Sequence, residues 1–130
     1  MEEALQFLKD SDAFYLATTE GDQPRVRPFG AVCAFEGKLY IVTNNQKKVY
    51  AQMEKNPKVE ISGMAKGKWI RLQAEAIPDR RREARKAMLD ENPSLRKMYS
   101  EDDGIMEVLY LKNATVSVCS FTEETVTYAF

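Results

Sequence analysis

Two short stretches hold most of the residues with chemistry to offer. Arg25-Val-Arg-Pro-Phe-Gly30 places Arg25 and Arg27 two apart, so on an extended chain both point to one face. Tyr40-Ile-Val-Thr-Asn-Asn-Gln-Lys-Lys48 closes a strand-like run on Thr43 and puts Lys47 and Lys48 where a helix begins. Helix N-termini carry free N–H groups and a dipole that favours anions, and each lysine there costs a few tenths of a kcal/mol to ~1 kcal/mol unless an anion is present. An arginine, a hydroxyl and two such lysines beside an apolar sheet describe a cationic corner suited to a phosphate carried on a flat ring system. Pro28 lacks a ladder donor and marks an edge or a bulge, and a bulge would let a ligand approach the backbone at Phe29 and Gly30. The same residues also fit a solvated edge strand followed by a polar loop with surface lysines.

The chain contains no histidine, which removes His-based acid/base chemistry, His-activated nucleophiles and most zinc sites. Any hard chemistry would have to come from a bound cofactor. Cys33 and Cys119 lie inside apolar runs and lack metal-ligand spacing, which reads as two buried thiols. Trp69, the only tryptophan, begins a strand, either as a core or interface anchor or as a cover for an aromatic ligand. The basic run Arg80 to Arg82, with Arg85 and Lys86, is interleaved with acids and reads as a salt-bridged solvated face.

The elements that must position these residues follow from periodicity. With 130 residues, 44% hydrophobic and 30% charged, the composition is that of one ordinary globular domain spanning 1–130. A net charge of -1 argues against bulk nucleic-acid binding. No apolar run has the length of a membrane span, and the acidic start is unlike a signal peptide, so the expected location is the cytoplasm. Glu2 to Lys9 reads as an amphipathic helix, Ala13 to Thr19 as a strand, Arg25 to Phe35 as a longer second strand and Leu39 to Thr43 as a third, the three forming a meander. Gln46 to Lys55 has helical period and stops at Asn56-Pro57. Lys58 to Ser62 and Trp69 to Ile77 alternate as strands. Asp79 to Tyr99 is helical, capped by Asp79 and split at Asn92-Pro93. Met106 to Leu111 and Ala114 to Cys119 read as a terminal hairpin, and Thr125 to Phe130 as an added edge strand. Six or seven strands with a few short helices indicate a mainly β fold, a small barrel with helices attached.

Taken in order, Pro24-Arg-Val-Arg-Pro-Phe29, Gly37 to Thr43, Lys47-Lys48, Asn56-Pro-Lys-Val59, Trp69-Ile-Arg-Leu72 and Ala74-Glu-Ala76 resemble the pyridoxamine 5′-phosphate oxidase-like superfamily. The similarity is greatest to its small single-domain, nitroimidazole-resistance-type branch. The resemblance implies a six-stranded antiparallel Greek-key split barrel that forms a homodimer with two FMN sites at the subunit interface. It implies that Arg27, Pro28 and Phe29 line the flavin and that Val42 and Thr43 meet the ring edge and the ribityl–phosphate arm. It further implies that Lys47 and Lys48 hold the phosphate and that Trp69 of the other subunit contacts the ring. The expected activity is that of an FMN-dependent oxidoreductase on a small molecule. Related branches bind heme or a deazaflavin, and the absent histidine makes a non-catalytic flavin- or heme-binding carrier or sensor module the alternative reading.

Overall fold

The computed structural model describes Met1–Phe130. In chain order the elements are α1 (Glu2–Asp10), β1 (Phe14–Glu20), β2 (Gln23–Phe29), β3 (Val32–Phe35), β4 (Lys38–Asn44), α2 (Lys48–Lys55), β5 (Lys58–Ala65), β6 (Lys68–Asp79) and α3 (Arg82–Glu91). A 3₁₀ segment (Pro93–Lys97), β7 (Met106–Ser120) and β8 (Val126–Ala129) complete the chain. One antiparallel sheet runs β2-β1-β5-β6-β7-β4-β3, with β8 on β7. The sequence's mainly β class is what forms, with eight strands where six were expected.

The extra strands have physical causes. Arg25 to Phe35 is not one strand, and the expected three-strand meander does not form. The run breaks at Gly30: β2 pairs with β1, and β3 pairs with β4. Val32 and Cys33 are both buried, Val32 in the barrel core and Cys33 in a second cluster, while β2 is exposed along most of its length. One continuous strand could not meet both demands. β2 and β3 therefore end at opposite ends of the sheet path while only Gly30 and Ala31 connect them. The three Cα steps from Phe29 to Val32 reach at most about 11 Å. The sheet must curl until its two ends meet there.

The expected terminal hairpin is likewise one strand. β7 continues through Asn113, which takes a positive φ of 53°. Its register with β6 shifts between Gln73 and Glu75, because Asn113 and Ala114 together oppose Ala74 as a bulge. Asn113 Nδ2 donates to Glu75 Oε2 at 2.8 Å and steadies that turn. The bulge lets one strand serve two neighbours: Met106 to Tyr110 pair with β4, and Thr115 to Val118 pair with β8.

Inside the barrel, Phe14, Leu16, Ile41, Ile61, Ile70, Leu72, Leu109 and Val116 are buried with Ala4 and Leu8 of α1 and Val49 and Met53 of α2. A second cluster lies outside β3, β4 and β7, where Ala84, Met88 and Leu89 of α3 cover Cys33, Tyr40, Met106 and Val108. Burial pushes the Cys33 thiol up to about 12, so it is an inert core group.

Asp79 does not cap α3, whose N-cap position is Arg81. Its carboxylate instead accepts from Tyr40 Oη at 2.7 Å, from the Arg81 backbone N–H at 3.1 Å and from Arg81 Nη2 at 2.9 Å. The Arg81 contacts dominate and hold Asp79 down to about 2. A carboxyl whose folded value lies below its unfolded one contributes stability above about pH 4, lost as pH falls through the folded value. With the side chain 8% exposed, this contribution is on the order of 1–2 kcal/mol. Asp79→Asn is therefore expected to lower stability by that amount at pH 7 and to flatten the acid limb between pH 4 and 2 in urea unfolding.

Candidate functional site

The corner where the sheet closes contains a cleft of about 370 Å³. Arg27, Pro28 and Phe29 enter it from the end of β2, Gly30 and Ala31 from the link, Val42 and Thr43 from the end of β4, and Lys47 and Val49 from the start of α2. Asn92, Ser94, Leu95, Met98 and Tyr99, in and around the 3₁₀ segment, form the remaining wall. Lys48 faces an adjoining hollow of about 380 Å³ that also takes in Arg25, Arg27, Lys47 and Gln52. Sequence positions far apart thus converge because the barrel ends meet there.

At the cationic end Arg27 is held in place. Arg27 Nη1 donates to the Leu16 carbonyl at 3.1 Å and to Thr18 Oγ1 at 2.8 Å, and Nη2 donates to Gln52 Oε1 at 2.7 Å. Thr18 Oγ1 in turn donates to the same Gln52 oxygen at 2.6 Å. Thr18 is 2% exposed and Gln52 6%, so β1, β2 and α2 are locked through one buried polar cluster. Burial, with the Arg25 charge adding to it, pulls the Arg27 value down, yet a guanidinium stays charged. Arg27 is therefore a fixed charge beside the cleft. Arg25 shares its face but is tied to Glu20 in an exposed ion pair at 2.9 Å.

At α2 the helix begins with Lys47 at the N-cap and Lys48 as its first residue, without a side-chain cap and without an acid in the first turn. The other two helices place Glu2, Glu3 and Glu83 in their first turns. The start of α2 is thus a positive end with two added positive charges, and an anion placed there offsets both. Opposite this end the cleft is apolar and partly aromatic, through Phe29, Val42, Leu95, Met98 and Tyr99.

Of the residues singled out from sequence, Arg27, Pro28, Phe29, Val42, Thr43 and Lys47 line one cleft, and Lys48 lies next to it. Trp69 does not join them within its own chain. Within β6 it pairs with Met64 of β5 and Cys119 of β7, and its ring centroid lies 4.8 Å from that of Phe121. The Asn92–Tyr99 wall was missed. The break at Asn92-Pro93 was the available signal, but its effect requires tertiary contacts. Asn92 Nδ2 donates to the Val32 carbonyl at 3.0 Å and to that of Met88 at 3.1 Å, fastening the end of α3 beside the β2–β3 link.

Comparison with known proteins identifies the family and the fold. Residues 1–118 match the family described as pyridoxamine 5′-phosphate oxidase. The chain belongs to this family. Within it, a NimC/NimA family protein from Clostridium acetobutylicum is 57% identical, with a TM-score of 0.98 over 100% of this chain and 92% of the other. That identity places the chain in the nitroimidazole-resistance-type branch of the split-barrel superfamily. General Stress Protein 26 from Bacillus anthracis (18% identity, TM-score 0.76, 98% and 97% of the chains) has the same fold. So does a heme binding protein from Mycobacterium smegmatis (16% identity, TM-score 0.71, 98% of this chain and 57% of that one). No protein of curated function matches in sequence. No helix of the chain is long and apolar enough to cross a membrane.

The Arg27 cluster predicts a measurable coupling. Gln52→Leu leaves Arg27 Nη2 and Thr18 Oγ1 without their acceptor and is expected to cost about 1–3 kcal/mol in urea unfolding. Combined with Arg27→Ala, the two losses should fall short of additivity by ~0.5 kcal/mol or more. Additive losses would show that the cluster does not act as a unit.

Proposed function

We propose that this member of the pyridoxamine 5′-phosphate oxidase family binds FMN in the cleft and acts as an FMN-dependent oxidoreductase on a small molecule. The observation that supports this reading is the joining of a cationic end, in which Arg27 is fixed, to apolar and partly aromatic walls in one cleft of about 370 Å³. A phosphate calls for charge-assisted donors, and a flat ring calls for apolar walls; the residues present meet both needs. Lys47 and Lys48 bind the phosphate at the start of α2, and Arg27 adds a fixed positive charge. Thr43 donates its hydroxyl to the ribityl–phosphate arm. Val42, Pro28 and Phe29 orient the ring through side chain and backbone. Bound FMN supplies the hydride and electron chemistry that a chain without histidine does not offer from its own side chains.

The working unit in this reading is a homodimer. Trp69, remote from the cleft of its own chain, is assigned to the cleft of a second copy. Sedimentation velocity of the FMN-loaded protein distinguishes two copies from one. The alternative, a carrier without turnover, is distinguished by whether NAD(P)H drives steady reduction of any electron acceptor.

The phosphate assignment carries the sharpest test. A charge-assisted hydrogen bond is worth about 1.5–3 kcal/mol. Lys47→Ala combined with Lys48→Ala should therefore weaken FMN binding at least about tenfold, as followed by quenching of flavin fluorescence. Helix content should be unchanged by circular dichroism. An unchanged affinity would remove both lysines from the site.

A further inference from the structure

One wall of the cleft carries a phenol, Tyr99, that the sequence does not announce. Asn44, the last residue of β4, accepts the backbone N–H of Gln46 on Oδ1 at 3.1 Å. A backbone nitrogen can only donate, so this contact fixes which side-chain atom of Asn44 is the oxygen. The atom 2.9 Å from Tyr99 Oη is then Nδ2, which also can only donate. Tyr99 is the acceptor in that bond. Its own phenolic proton is left free. The Asn44 contact also polarises the O–H, and hydrogen bonds in series strengthen one another.

Tyr99 lines the cleft with Thr43, Leu95 and Met98. Its backbone N–H donates to the Leu95 carbonyl at 2.9 Å, and Asn44 holds the other end of the residue. We propose that Tyr99 is the hydrogen-bond donor with which this cleft recognises a carbonyl oxygen on a flat, ring-bearing ligand. An apolar wall carrying one oriented phenol suits such a ligand, because the rings pack on Leu95 and Met98 while the carbonyl meets the O–H. The inference rests on the cleft being the ligand site; it does not require that the ligand be FMN. Two sources offer this chemistry, the ring carbonyls of a flavin and a second ligand of quinone type lying beside it.

Two titrations separate these sources in the full-length protein, one with FMN and one with anthraquinone-2-sulfonate added with and without saturating FMN. Anthracene-2-sulfonate, the same ring system without carbonyls, serves as the control. Tyr99→Phe removes only the hydroxyl and should weaken binding in at least one titration by about 3- to 10-fold, leaving the control unchanged. N44D supplies an acceptor in place of the Nδ2 donor and draws the Tyr99 proton away from the cleft. It should reproduce the loss with Tyr99 intact, once the control has corrected for the charge it adds.

A loss of carbonyl affinity in both variants supports the proposal. Loss in only one variant, loss in neither, or a wild-type protein that binds neither probe overturns it. If FMN fails to bind while the anthraquinone shows the paired loss, the flavin reading falls and the Tyr99 assignment stands.

Discussion

Only Gly30 and Ala31 separate the last residue of β2 from the first of β3, and those strands are the two ends of a single sheet path. Chain connectivity over so short a span pulls the ends of the sheet together, and the rest of the architecture answers to that closure. Curvature is provided on the far side by the bulge at Asn113, which allows β7 to pair with β4 over its first half and with β8 over its second. Since β2 and β3 are joined there without pairing, the corner has backbone and side chains that no neighbouring strand covers. The cleft occupies that corner. Its floor is the ends of β2 and β4, and its wall is the 3₁₀ segment held by Asn92 to the start of β3.

Closure brings charge together as well as backbone. Arg27 reaches from β2 across β1 to Gln52 on α2, and three elements are fixed by one cluster of hydrogen bonds to buried Thr18 and Gln52. This anchors α2, and with it Lys47 and Lys48, relative to the sheet. The Arg27 charge beside the cleft is therefore preorganised, while the exposed side chains of Lys47 and Lys48 extend from an anchored backbone. On the other side of β3 and β4, the clasp of Asp79 on Tyr40 and Arg81 secures the approach to α3, and so the helix whose end carries the cleft wall.

How much of this was legible in the sequence depends on whether local pattern or distant contact decides each feature. The run Ala13 to Thr19 and the alternation of Trp69 to Ile77 marked strands that form, and the helical period of Gln46 to Lys55 marked α2, which buries Val49 and Met53. The cationic corner was legible because residue type and the strand-to-helix transition at Thr43 to Lys48 are local. The break at Gly30 was not, since Arg25 to Phe35 reads as one apolar-rich run, and only the distant pairing of β2 with β1 and of β3 with β4 divides it. Asn113 fell between the two strands of the expected hairpin, and its positive φ serves a bulge within one strand instead. Tyr99 was placed in a helical stretch without a role. The part it plays in the cleft arises from Asn44, 55 positions away in sequence.

The corner formed by β2, β4, α2 and the 3₁₀ segment is proposed to be a flavin site. The most direct test is the visible absorption spectrum of the purified protein after incubation with FMN and removal of free flavin by desalting. Retention of flavin bands at one FMN per chain, shifted from those of free FMN by the apolar wall, is the predicted result. A colourless protein after desalting, with no change in its spectrum on adding FMN, would contradict the claim.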